Sequence, residues 1–192
     1  PNYTLVKDIQ NNFGGDLSIT STGNNKLYDT NINEKVLIND VKYNSINKIT
    51  PFGFLNNYEI LVKNFNVDSK NSSKYKNKRS HDLQSILNYQ IKYPLRKIGK
   101  KYDQFLTPIF SVRYSPNKSK NIKNEDVIID YSNIFSINRI AANDTVEGGK
   151  SITIGNEFKI LDKLDSELLS LNLATVIRNE INYDLPLSSK LG

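Results

Sequence analysis

Hydrophobic and polar residues alternate in short runs along most of this chain, and polar stretches separate the runs. The clearest run spans Leu83 to Leu95. Leu83, Leu87, Tyr89, Ile91, Tyr93 and Leu95 share one face, with Ser85 as its polar member. Gln84, Asn88, Gln90 and Lys92 share the other, with Ile86 as the exception. A period of two predicts a strand with one apolar face. This run is longer than the roughly 5–6 residues typical of globular strands. It covers the roughly 9–11 residues that a tilted strand needs to cross a bilayer. Tyr93, near one end, suits an interfacial aromatic girdle.

Two further alternations are unbroken. Ser151 to Ile160 places Ile152, Ile154, Phe158 and Ile160 on one side. Leu106, Pro108, Phe110, Val112 and Tyr114 alternate with Thr107, Ile109, Ser111 and Arg113. Pro108 has no N–H to donate, so it belongs near a strand start or at a bulge. Weaker alternations begin at Leu17, Val36 and Tyr58. Together they predict strands near 13–29, 35–46, 54–67, 82–95, 104–115, 145–161 and 166–179; residues 1–15 carry no usable pattern. The last strand is ambiguous. Leu161, Leu164, Leu168 and Leu171 also fit a helix that Ser166 would cap. The strand reading is preferred because the neighbours are strands joined by short turns.

The connections alternate in length, except that the first, near 30–34, is short where the parity would allow a long one. Those near 47–53, 96–103 and 162–165 are short, and those near 68–81, 116–144 and after 179 are long. In an antiparallel meander successive connections fall at opposite ends. Outer-membrane barrels have short turns at one end and long loops at the other. The prediction is therefore an all-β, antiparallel up-and-down meander, part of a transmembrane β-barrel. About seven strands is fewer than the roughly eight at which such barrels begin. With two open edges and an apolar outer face, it should not be a stable soluble monomer alone.

Composition changes this picture little. The chain has 192 residues, no Cys, no Met and one His, and carries a net charge of +6. Opening at Pro1 without any Met, it is expected to be a piece of a longer protein. The absence of Cys excludes disulfides and thiolate metal sites within it. The basic balance fits nucleic acid, anionic lipid or neither; the abundant Asn, Ile and Lys suit an AT-rich genome. A mean hydropathy of −0.51 does not argue against a barrel, whose strands alternate lipid-facing and lumen-facing residues.

Candidate chemistry is sparse. The segment Asp130 to Ile140, followed by Asn143 to Gly149, reads as an ordered loop feeding the strand at 151–160. Within it, Gly148 and Gly149 allow a tight passage from loop to strand. Arg139 is expected to pair with Glu147 or Asp144 as a structural contact, although Asn138 and Arg139 could also hold a lipid phosphate by bidentate bonding. Asp126, Asp130 and Asp144 are scattered and lack a compact Ca²⁺ loop. His81, beside Arg79 and Ser80 in a polar stretch, has no oriented partner for nucleophilic catalysis. Lys74, Lys76, Lys78 and Arg79 read as a solvated outer loop that could bridge anionic head groups. No enzyme, cofactor, metal or nucleic-acid site is expected.

Several pieces in order resemble a known family: Leu37–Asp40 with Tyr43 and Ser45, Leu61–Asn66 with Asp68–Ser72, Leu106–Pro108 leading to Arg113–Pro116, and Asn138–Arg139 with Val146–Gly149. Asp184–Pro186 with Ser188–Ser189 adds to the set. The chain is similar to the outer-membrane LPS-assembly family, LptD. The resemblance implies a segment of a large outer-membrane barrel, one domain over 1–192, without the family's N-terminal jelly roll or barrel-closing strands. It implies the Gram-negative outer membrane, release of lipopolysaccharide into the outer leaflet, and no covalent chemistry. Implied partners are lipopolysaccharide, the plug lipoprotein LptE, periplasmic bridge proteins and outer-membrane lipid. Leu83, Leu87, Tyr89, Ile91 and Tyr93 would then face lipid, and Gln84, Asn88 and Gln90 the lumen that holds the plug. Other readings are a different outer-membrane barrel, porin or receptor, and a soluble all-β binding module that buries Leu83, Leu87, Ile91 and Leu95 against a second sheet.

Overall fold

The computed structural model describes residues 1–10, 14–27, 31–123 and 127–186. Asp126, Ser188 and Ser189 lie outside them. The described chain forms one antiparallel sheet from ten strand segments: β1 (Asn2–Ile9), β2 (Asp16–Leu27), β3 (Asn33–Asn44), β4 (Lys48–Ile49), β5 (Leu55–Lys70), β6 (Arg79–Lys92), β7 (Leu95–Ile98), β8 (Tyr102–Ser115), β9 (Gly149–Asp162) and β10 (Glu167–Arg178). The order is β1-β2-β3-β5-β6-β8-β9-β10, and the sheet is open. Each long strand pairs with its neighbours in sequence, as a meander requires.

The two short segments are continuations of their predecessors. β7 keeps the register of β6 against β8, with Lys92 opposite Ile109 and Leu95 opposite Leu106. Between them Tyr93 N donates to Pro108 O at 3.0 Å, and Pro94, with no N–H, interrupts the ladder. β4 resumes β3 after a one-residue slip at Ser45. There Ser45 N donates to Tyr58 O at 2.9 Å, and Tyr58 N donates to Ser45 Oγ at 2.8 Å. This bulge bends the strand without ending it.

Several boundaries differ from the sequence expectation. β1 was not foreseen, because Asn2–Ile9 mixes Tyr3, Leu5 and Ile9 with Lys7 on one face. The polar stretch after Asp68 is shorter than expected: β5 runs to Lys70 and β6 starts at Arg79. His81 therefore lies on a strand, since cross-strand pairing overrides its weak local propensity. β9 starts at Gly149, not 145. Residues 167–178 are a strand, fixed by a ladder to β9 from Leu161 to Ser151.

The burial pattern is inverted relative to a soluble protein. On one face, polar side chains are covered: Lys63, Gln84, Asn88, Ser111, Arg113 and Thr153 are all buried. On the other, large apolar side chains are exposed: Leu83 by 63%, Leu87 by 47%, Phe110 by 36%, Ile154 by 46% and Leu173 by 60%. The covered face is closed by the chain itself. Connection 116–148 folds back over it, bringing Ile122, Ile129, Ile134, Ile140 and Ala142 into one cluster with Leu185. Ile137 and Val146 pack on Leu61 of β5 and Ile86 of β6. Connection 71–78 adds Tyr75 against Phe65, Val36 and Val67.

Candidate functional site

The only large polar centre among the described residues lies where connection 116–148 meets the sheet. Glu147, 0% exposed, is its hub. Arg139, eight positions earlier in the same connection, meets it in a bidentate fork through Nε and Nη2. The same guanidinium donates to Ser151 Oγ at 3.0 Å and Thr153 Oγ1 at 3.2 Å on β9. Planar fork geometry suits a carboxylate and leaves further donors for neighbouring hydroxyls. Two strand arginines complete the centre. Arg178, at the end of β10, donates to Glu147 Oε1 from Nε at 3.1 Å and Nη2 at 3.0 Å. Arg113 of β8 lies 3.5 Å from Glu147 Oε2 and donates from Nε to Ile137 O at 3.0 Å.

One carboxylate thus binds three guanidinium groups taken from three places in the chain. Burial works to raise the Glu147 pKa, but the Arg139 hydrogen bonds and the charges of Arg113 and Arg178 outweigh it and hold the value at about 2. The carboxylate stays ionised and unavailable as a proton donor or acceptor near neutral pH. The arrangement grips a loop; it holds no nucleophile and no activated base.

Other contacts fasten the same connection to the wall. Val146 N donates to Gln84 Oε1 on β6 at 2.8 Å. Lys63 of β5 donates to Asn143 O at 3.1 Å while pairing with Asp40 of β3. Tyr131 donates to Glu157 Oε1 at 3.1 Å; burial, then that bond, pushes its phenol up to about 12. The Phe135 ring sits on Gly155 of β9, where an added Cβ would lie 2.5 Å from it. Asn117 stands in for a missing strand: its side chain accepts from Ser85 N at 2.8 Å and donates to Leu83 O at 3.0 Å. This covers the edge of β6 above the point where its ladder to β8 begins at Leu87.

The residues singled out from sequence fall as follows. Arg139 pairs with Glu147; Asp144 instead lies 3.9 Å from Lys74. Gly148 approaches the backbone so closely that a Cβ would sit 2.0 Å from Asn117 O, and Gly149 has φ +89°. Asn138 Oδ1 is buried without a partner among the described residues. Leu83, Leu87 and Tyr89 point outward and are exposed. Ile91 is half-buried on the same face, and Tyr93, just past the end of β6, stacks on Phe54 at 4.5 Å. Gln84 and Asn88 face inward; Gln84 lies under the chain's own loop, bound to Val146 N, and Asn88 lies between Glu59 and Ser111 of the neighbouring strands. Asp130 stands away from the centre and binds Ser132 at its own turn, which holds its carboxyl low. Arg113 and Arg178 were missed. Each is an arginine at an inward-parity position near the loop-bearing end of a strand, and that was the available signal.

A family model described as LPS transport system D (LptD) matches residues 8–186. No match is found among the curated proteins.

Proposed function

This chain belongs to the LptD family of LPS transport proteins, non-enzymatic translocons of the Gram-negative outer membrane, and we propose that it forms a section of the barrel wall. In this reading the exposed apolar face, with Leu83, Leu87, Tyr89, Ile91 and Tyr93, meets lipid. The covered face looks into the lumen. Connection 116–148 is a lumen-filling loop, and the strand sheet continues into further strands of a larger barrel at both open edges. Asn138, Arg139, Glu147, Gly148 and Gly149 are structural: the Arg139–Glu147 pair clamps that loop to β8, β9 and β10, and the two glycines carry it into β9. Lipopolysaccharide crosses the membrane with help from this wall, and a plug lipoprotein and periplasmic bridge proteins act through the rest of the full-length protein.

The inverted burial pattern carries this reading. A sheet with buried Gln84, Asn88 and Arg113 on one side and exposed Leu87, Phe110 and Leu173 on the other matches a wall between lipid and a polar lumen. A soluble module would bury the second set. The test uses single cysteines in the full-length protein in outer-membrane vesicles. Residues 87, 89 and 171 should react with a lipid-soluble thiol reagent and resist a water-soluble one. Equal labelling by the water-soluble reagent at these positions would overturn the reading.

A further inference from the structure

The outward face is not uniformly apolar. On β8, β9 and β10 it is apolar almost to the end that bears the long connections, with Tyr114 and Ile177 in the last positions and Ile152 followed on β9 by Lys150 alone, which lies over the Tyr114 ring. On β2, β3, β5 and β6 it does not. Ser21, Asn39 and Asn64 lie side by side in register across three strands, and Asn66 lies opposite His81. Their side chains form one ladder. Ser21 donates to Asn39 Oδ1 at 2.7 Å, Asn39 Nδ2 to Asn64 Oδ1 at 3.4 Å, and Asn66 Nδ2 to the same oxygen. His81 Nδ1 closes the row on Asn66 Oδ1 at 2.7 Å. Beside the ladder lies a groove of about 470 Å³. Its floor is apolar: Leu37, and the Tyr3 ring laid over Gly23, where a Cβ would come within 2.2 Å of the ring. Lys35 and Arg79 stand on its rim, with Asp68 beside Arg79 at 3.2 Å.

We propose that this groove binds the phosphorylated sugar headgroup and first acyl carbons of one lipopolysaccharide molecule in the outer leaflet. Acyl chains alone would leave the ladder's remaining donors and acceptors without partners, which costs free energy in an apolar medium. Sugar hydroxyls satisfy amide side chains in both directions, Lys35 and Arg79 meet phosphate, and the Tyr3–Leu37 floor meets methylene groups. The groove's height supports the outer leaflet, because it lies at the end of the long connections, which in outer-membrane barrels face outside. The proposal rests on the barrel-wall reading and adds a lipid site to it.

The test places a photoreactive residue at position 37 or, as a control on the apolar half of the same face, at 171. The full-length protein is reconstituted in nanodiscs with lipopolysaccharide, with or without excess phosphatidylglycerol. Lipopolysaccharide adducts at 37 should exceed those at 171 at least fivefold. The Lys35→Gln/Arg79→Gln pair should reduce them at least threefold at unchanged heat-modifiability. Equal adducts at both positions, full competition by phosphatidylglycerol, or a protein adduct at 37 in native membranes would each overturn the proposal. Loss of lipid adducts at 171 as well would instead sink the barrel-wall reading.

Discussion

Glu147 sits among three arginines, so its removal leaves a buried excess of positive charge. Breaking a buried pair by deleting one partner typically costs about 3–5 kcal/mol. Glu147→Ala should therefore free connection 116–148 and expose its backbone to limited proteolysis, and Arg139→Ala should do the same more weakly, because Arg113 and Arg178 still bind the carboxylate. Proteolysis rates like wild type in both would refute the clamp. The clamp also has a pH signature. Its carboxyl is depressed from 4.5 to about 2 in the folded state, so its contribution is fully present above about 4.5 and is lost as pH falls toward 2. Protection of the Ile140 and Val146 amides relative to their intrinsic exchange rates should fall in that window, and Glu147→Gln should abolish the window. Gly148→Ala drives a methyl group into Asn117 O and should disturb the loop. Gly149→Ala meets open space and pays only for its positive φ, about 1–2 kcal/mol. The Arg139–Glu147 pair was legible in sequence because both residues belong to one loop. The arrival of Arg113 and Arg178 was not, since it depends on how three strands and a loop stack in space.

At the level of elements, period-two patterning gave every long strand except β1, with boundaries that shifted where polar residues continue a ladder. Asp68, Arg79, Ser80 and His81 read as loop on composition, yet they are paired strand residues. The β10 ambiguity was physical: leucines spaced both two and three or four apart fit either period, and only the ladder to β9 decides between them. The loop's seating could not be read in advance, because its apolar residues, Ile122, Ile134, Ile137 and Ile140, do not follow the period of two by which the strands are read. β6 allows an element-scale test. Gln84 and Asn88 are 1% and 2% exposed, and Gln84 is tied to the loop at Val146 N. Cysteines at 84 and 88 should resist water-soluble reagents in the intact protein. The one at 84 should become reactive when Glu147→Ala releases the loop. Immediate labelling in the intact protein would contradict the packing.

For the whole molecule, the alternation of short and long connections was visible in sequence and carries over to the sheet. It holds all the paired ends in one meander, with connection 116–148 turned inward. The central claim is that this sheet divides lipid from a loop-filled lumen. Site-directed nitroxide scanning of positions 168–177 on β10, in the full-length protein in bilayers, tests it most directly. Collision rates with oxygen should peak at 169, 171, 173, 175 and 177 and fall at 168, 170, 172, 174 and 176, while a water-soluble nickel reagent stays excluded from the odd positions. A period near 3.6, or nickel access at 171 and 173, would contradict the account.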